Sequence, residues 1–197
     1  MNLKPMQSAP HRKTTEDTRD DWQTPPRIAE PIIHRFGFTG DAAASATNSL
    51  APSWLTKEDD AVVASWQTLG KRVWLNPPYS KTHLFMRRAR VESQRGATVV
   101  CLVPSTTDVK WYHADVLPYA QEVWFYAGRI SFISPVTLSP VSGNPVGSML
   151  VVYHGQQSYA GARIGRLCSK TGLPTTEPDK HFWRRCQHGQ VDLFKLS

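Results

Sequence analysis

The sequence predicts an α/β protein with a mostly parallel sheet and crossover helices. Three observations carry that reading. Apolar runs of strand length alternate with amphipathic stretches from Trp22 to about Gly155. A strand run, Arg72 to Leu75, stops at two consecutive prolines, Pro77 and Pro78. A long segment rich in Pro, Ser and Gly, residues 131 to 147, separates two later apolar runs. With 197 residues the chain is long enough for one full domain and a short appendage.

The elements follow in order. Residues 1–20 are polar and read as a flexible N-terminal tail. Thr24-Pro25-Pro26 suits a helix start, with Thr24 as the cap and proline tolerated in the first turn. Ile28, Ile32, Ile33 and Phe36 then recur at helical spacing, and Gly37 ends the helix. A short apolar segment, Phe38 to Ala44, leads into small residues. Arg72 to Leu75 is a strand. A helix from about Lys81 to Gln94 places Leu84, Phe85 and Ala89 inward and Arg87, Arg88, Arg90 and Arg95 mostly outward. Strands follow at Ala97 to Val103, Glu122 to Tyr126 and Ser148 to Tyr153. Residues 21–155 are the expected catalytic domain, and 156–197 a basic appendage that holds +4 of the net +7.

That positive balance suits a polyanionic partner such as nucleic acid. Cys101, Cys168 and Cys186 are odd in number and widely spaced, which argues against a disulfide framework and for a reducing, cytoplasmic setting. No apolar run reaches bilayer-spanning length. Cys168, His181, Cys186 and His188 lack metal-ligand spacing, so no metal is expected.

The chemistry lies in Asn76-Pro77-Pro78-Tyr79, directly after a strand, where open α/β sheets hold their ligands. The amino nitrogen of a base such as adenine is a poor nucleophile, because its lone pair is delocalised into the ring. Two acceptors aimed at its two N–H bonds draw that pair out. The Asn76 side-chain oxygen supplies one and the Pro77 carbonyl the other, with the prolines stiffening the turn. Tyr79 offers a stacking face for a flipped-out base. An Asn-Pro-Pro-Tyr sequence also serves as a plain turn.

Asp21-Trp22-Gln23-Thr24-Pro25, Gly40-Asp41-Ala42-Ala43-Ala44-Ser45, Asn76 to Tyr79, Leu102-Val103-Pro104 and Gly128-Arg129-Ile130-Ser131-Phe132 together resemble the phage-type Dam family of DNA N6-adenine methyltransferases. The resemblance runs from about Asp21 to Gly155. It implies a Rossmann-like class I methyltransferase fold, S-adenosylmethionine as cofactor, DNA as partner, adenine N6 as the target, and a phage or prophage setting. It also implies that Asp41 reaches the cofactor's ammonium, that Ala43 and Ser45 allow close approach, and that Trp22, Gln23 and Thr24 close over the cofactor. The alternative reading of Asp41 is a helix cap, and that of Trp22 a core aromatic.

Asp59 or Asp60, with Asp60 preferred, is the candidate acid for the cofactor's ribose or adenine; an acidic helix start explains both as well. Ser80, Thr107 and Arg129 are candidate substrate contacts, Arg129 being alternatively a structural ion pair. Two departures qualify the resemblance. There is no G-x-G turn after the first strand, and the interval from Asp41 to Asn76 is short for two βα units, which predicts abbreviated central strands. The rival substrates for the same turn are RNA adenine and a protein glutamine amide; a non-catalytic DNA-binding module is the rival class.

Overall fold

A computed structural model describes residues 19–141, 144–155 and 161–175. Its sheet has seven strands: β1 (Gly40–Asp41), β2 (Ser53–Trp54), β3 (Arg72–Leu75), β4 (Thr98–Pro104), β5 (Glu122–Ala127), β6 (Ser148–Tyr153) and β7 (Arg163–Cys168). They lie in the order β2-β1-β3-β4-β6-β5-β7. Every pairing is parallel except those of β6, which runs against both β4 and β5. The expected mostly parallel sheet is present, but the abbreviated strands are β1 and β2, of two residues each at one edge of the sheet, and the central β4 and β6 are full-length, against the expected abbreviated central strands.

Helix α1 (Pro26–Phe36) begins as its sequence requires and ends on Gly37, whose φ of 55° suits glycine, with its N–H on the Ile33 carbonyl at 2.7 Å. The expected cap does not form. Pro25 occupies the N-cap position, and the Thr24 hydroxyl is buried without a partner. Helix α2 (Thr82–Gln94) buries Phe85, Met86, Ala89, Glu92 and Ser93. This phase turns Leu84 outward, 40% exposed, against expectation. Arg88 and Arg95 both turn to the buried Glu92, at 2.6 and 3.0 Å, and Arg90 holds Asp115 at 2.9 Å. A buried carboxylate demands such partners, which draws Arg88 and Arg90 inward against expectation, while Arg95 stays exposed as expected.

Strand alternation sorts the core into two faces. Val73, Leu75, Val99, Cys101 and Val151 pack toward α2 and a π-helical turn at Tyr112–Val116. Trp74, Val100, Leu102, Trp124 and Leu150 pack toward Ile28 and Ile32 of α1. Each such side chain contributes about 1.5–3 kcal/mol of hydrophobic stabilisation. Between β2 and β3 the chain makes only turns and a 3-10 turn, Trp66–Leu69, where Trp66 plugs the core and its indole N–H reaches the Ala61 carbonyl at 2.8 Å.

The boundaries of the expected domain need correction at both ends. β7, inside the expected appendage, pairs with β5 along its whole length and extends the sheet. Arg19–Asp21 forms a 3-10 turn rather than tail. The rest of the basic appendage from residue 176 lies outside the described residues. No helix among the described residues is long and apolar enough to cross a membrane.

Candidate active site at the carboxyl edge of the sheet

From β1 the chain moves outward to β2, then returns to place β3 on the other side of β1. That reversal is a topological switch point, where open α/β sheets leave a crevice for ligands. Asp41 is in register with Trp74, and the Ala42 N–H donates to the Trp74 carbonyl at 2.9 Å. Asn76 stands two residues past Trp74. The structure therefore brings Asp41, Ala43 and Asn76 together on neighbouring strand ends.

Asp41 is buried, with its carboxylate accepting the Ala43 N–H at 3.2 Å and the Leu50 N–H at 3.1 Å. Burial pushes its pKa up to about 6, against those two bonds, which favour the anion. It does not cap a helix. It braces the loop after β1 while leaving a desolvated carboxylate with no cation beside it among the described residues. Ser45 is exposed and turns inward on its own loop, its N–H on the Asn48 side chain at 2.7 Å.

At the end of β3 the Asn76 amide donates to the Trp22 carbonyl at 3.2 Å. This bond fixes which way the amide faces and leaves Oδ1 an acceptor without a protein donor among the described residues. The Pro77 carbonyl likewise accepts no bond there, whereas the Pro78 carbonyl is taken by the Lys81 N–H at 3.0 Å. Two free acceptors thus remain on adjacent residues. Tyr79 opens a 3-10 turn, Tyr79–Lys81. Its ring lies edge-on to Trp22 and to Phe132, centroids 6.3 Å away in each pair, while Trp22 stacks on Phe132 at 6.0 Å. Burial raises the phenol's pKa, with Asn144, Ser148 and Arg19 acting the other way.

The segment around Trp22 crosses this edge as a strap. The Gln23 N–H donates to the Ile133 carbonyl at 2.9 Å and its carbonyl accepts the Ile133 N–H at 3.0 Å. The Ser80 N–H donates to Asp20 at 2.9 Å, and its hydroxyl donates to the second oxygen of the same carboxylate. Ser80, expected at the substrate, is an anchor of the strap instead: its donors are already used.

Other candidates stand apart. Asp59 closes on the N–H and hydroxyl of Thr56 at 2.7 and 2.8 Å, bonds that hold its carboxyl below its usual range. Asp60 is exposed in the left-handed region at φ 46°, with one oxygen 3.4 Å from the Val62 N–H. Thr107 and Arg129 are exposed on the loops after β4 and β5, along the same carboxyl edge. Cys168 is buried at the end of β7, and His181, Cys186 and His188 lie outside the described residues. Among the described residues no group of His, Cys, Asp or Glu is placed to hold a metal.

Sequence reasoning missed four contributors. Asp20 was assigned to the tail, although its spacing before Trp22 resembles nothing informative. Phe132 lay in a quoted segment without a role. Asn144 and Ser148 were read as turn and strand.

Fold and site define an α/β protein that offers a nucleotide-type crevice at a switch point and, beside it, two unpaired acceptors suited to an amino group. A family model described as DNA N-6-adenine-methyltransferase (Dam) matches residues 11–170, and the chain belongs to that family. It is 29% identical over 154 residues to the DNA N-6-adenine-methyltransferase of Escherichia phage T1, covering 71% of this chain and 64% of that protein. It is 30% identical over 149 residues to the one of Haemophilus phage HP1, covering 74% and 85%. A type I restriction-enzyme modification subunit from Vibrio vulnificus superposes with a TM-score of 0.41 at 8% identity, over 86% of this chain and 53% of the other.

Proposed function

We propose that this chain transfers a methyl group from S-adenosylmethionine to N6 of an adenine in DNA. The observation that carries the reading is the Asn76-Pro77 turn, whose two unpaired acceptors stand next to Asp41 at the switch point. Membership of the family and the net charge of +7 support DNA as the partner.

The residues present fit the cofactor. Asp41 is a buried carboxylate without a cation beside it among the described residues, and the ammonium of S-adenosylmethionine would offset its desolvation. Ala43 and Ser45 lie on the adjoining loop, and Trp22, Gln23 and Thr24 cross above; Asp60 is the remaining candidate for the ribose or adenine. When bound, the cofactor would supply an electrophilic sulfonium methyl for the N6 lone pair.

The chain's own part is positional. Asn76 Oδ1 and the Pro77 carbonyl accept the two N6 hydrogens, which turns the nitrogen lone pair toward the donor. Pro78 stiffens the turn. Methylation makes the nitrogen acidic, so its surplus proton passes to water without a strong base. Tyr79, with Trp22 and Phe132 behind it, forms the aromatic wall for a base taken out of the stack. Thr107 and Arg129, exposed along the same edge, are placed for the flanking backbone or base edges.

Incubating the chain with labelled S-adenosylmethionine and unmethylated duplex DNA, then digesting to nucleosides, tests this. N6-methyladenine is expected from the unaltered chain, with the rate at least about 100-fold lower for Asn76→Ala. No methylated DNA, or label found only in RNA or in a protein glutamine amide, would remove the reading.

A further inference from the structure

Buried polar atoms without partners are rare, because each forgoes the bonds it had in water. Here they gather in one place. Trp22 Nε1, Thr24 Oγ1, Tyr79 Oη, Tyr126 Oη, Ser148 Oγ and both amide atoms of Asn144 are all buried without a hydrogen bond; only Arg88 Nε shares that condition elsewhere among the described residues. Trp22 and Thr24 belong to the strap, Tyr126 and Ser148 to β5 and β6, and Asn144 to the loop before β6. Tyr79 belongs to the catalytic turn.

The core of the cluster is Asn144. It is 8% exposed, and Ser148, where β6 begins opposite Pro104, is 1% exposed. Both stand near the Tyr79 hydroxyl, close enough to act on its ionisation, yet none of the three side chains completes a hydrogen bond. An amide with two unused hydrogens and an unused oxygen, set beside the ring that closes the Asn76 to Tyr79 turn, is a recognition element awaiting a ligand that presents an acceptor. Adenine presents such an acceptor on each side of its amino group, at the ring nitrogens N1 and N7. Once Asn76 and Pro77 take the N6 hydrogens, a ring nitrogen beside N6 is what remains to be read.

We propose that Asn144 is the base-reading residue of the site: its Nδ2–H donates to a ring nitrogen flanking N6 of the target adenine, while its Oδ1 accepts from the Tyr79 or Ser148 hydroxyl. This rests on adenine N6 being the methylated atom. The arrangement gives the Asn144 Nδ2 donor a partner only when a base with an acceptor next to its amino group is seated. It joins the loop before β6 to the catalytic turn through Tyr79, so that the wall of the pocket and the reader of the base's edge are set together.

Mixed-sequence duplex DNA made with deoxyadenosine, with 7-deazadeoxyadenosine or with 1-deazadeoxyadenosine tests the assignment, with methyl incorporation compared for the unaltered chain, Asn144→Ala and Asn144→Asp. Asn144→Asp keeps the size and loses the donor. Both variants are expected to lose about tenfold in kcat/KM on ordinary DNA, with S-adenosylmethionine binding retained as the sign of an intact fold. One of the two deaza substrates is expected to slow the unaltered chain by a similar factor and to slow the variants no further. Variants within twofold of the unaltered chain, or deaza penalties that multiply with the substitution on both substrates, overturn it. Failure of the unaltered chain to make N6-methyladenine in ordinary DNA overturns the underlying adenine reading instead, and is read separately.

Discussion

At the scale of single residues, Asp41 meets two opposed demands. Desolvation raises its pKa from 3.8 to about 6, so the folded chain releases this proton less readily than the unfolded one. Its contribution to stability is therefore fully present below about pH 4 and is lost as pH rises through 6. A cationic ligand group reverses the preference, since it favours the ionised form. S-adenosylmethionine affinity is accordingly expected to be about tenfold weaker at pH 5 than at about pH 7.5, where the carboxylate is already charged. Calorimetric titrations at the two values read this directly. Asp41→Asn should bind weakly at both, because it offers no charge and places an NH2 against one of two backbone donors, Ala43 or Leu50. An affinity independent of pH in the unaltered chain would remove Asp41 from the ammonium site.

At the scale of elements, the strap decides whether the Asn76 to Tyr79 turn is held or loose. Asp20 takes two bonds from Ser80, Trp22 orients Asn76 through its carbonyl, and Gln23 pairs with Ile133. Removing Asp20 frees one end of that chain of contacts. Asp20→Ala is expected to cost about 1–2 kcal/mol of stability and several-fold in kcat, with little change in the KM for S-adenosylmethionine. Thermal melts and steady-state rates on the same preparation check it; full activity would mean that Trp22 holds Asn76 without help. This element also shows where sequence reading ends. α1 was legible because Pro26 and Gly37 bracket an apolar helical stripe, and β3 because two prolines stop it. The strap was not, since Asp20 meets Ser80 across sixty positions and no local pattern encodes such a contact. Asn144 was hidden for the same reason: within Ser142-Gly143-Asn144-Pro145 it reads as turn chemistry, and only the fold sets it beside Tyr79.

At the scale of the whole molecule, the sheet separates function from support. The groups proposed to act in catalysis occupy its carboxyl edge, where open α/β sheets hold their ligands. The opposite edge is closed by Glu122 at the start of β5, which accepts from Arg35 of α1 at 2.8 and 2.9 Å, from Trp124 at 2.7 Å and from His154, just past β6, at 2.7 Å. Burial alone would raise this carboxyl's pKa, but His154, Trp124 and Arg35 outweigh it and hold the value at about 2. Three elements thus meet on one charge, far along the strands from Asn76. Because the folded pKa lies below the ordinary 4.5, the stabilisation is complete above about pH 4.5 and disappears as pH falls through about 2. Glu122→Gln removes the charge at every pH and leaves Arg35 and His154 without their partner, which should lower stability at neutral pH by about 3 kcal/mol. Its unfolding midpoint should also change less between pH 4.5 and 2 than that of the unaltered chain. Denaturant unfolding across that range measures both, and parallel acid limbs for the two proteins would show that the acid sensitivity resides elsewhere. Methylation per folded molecule at neutral pH should be unchanged, since the clamp and the site share the sheet but no side chain.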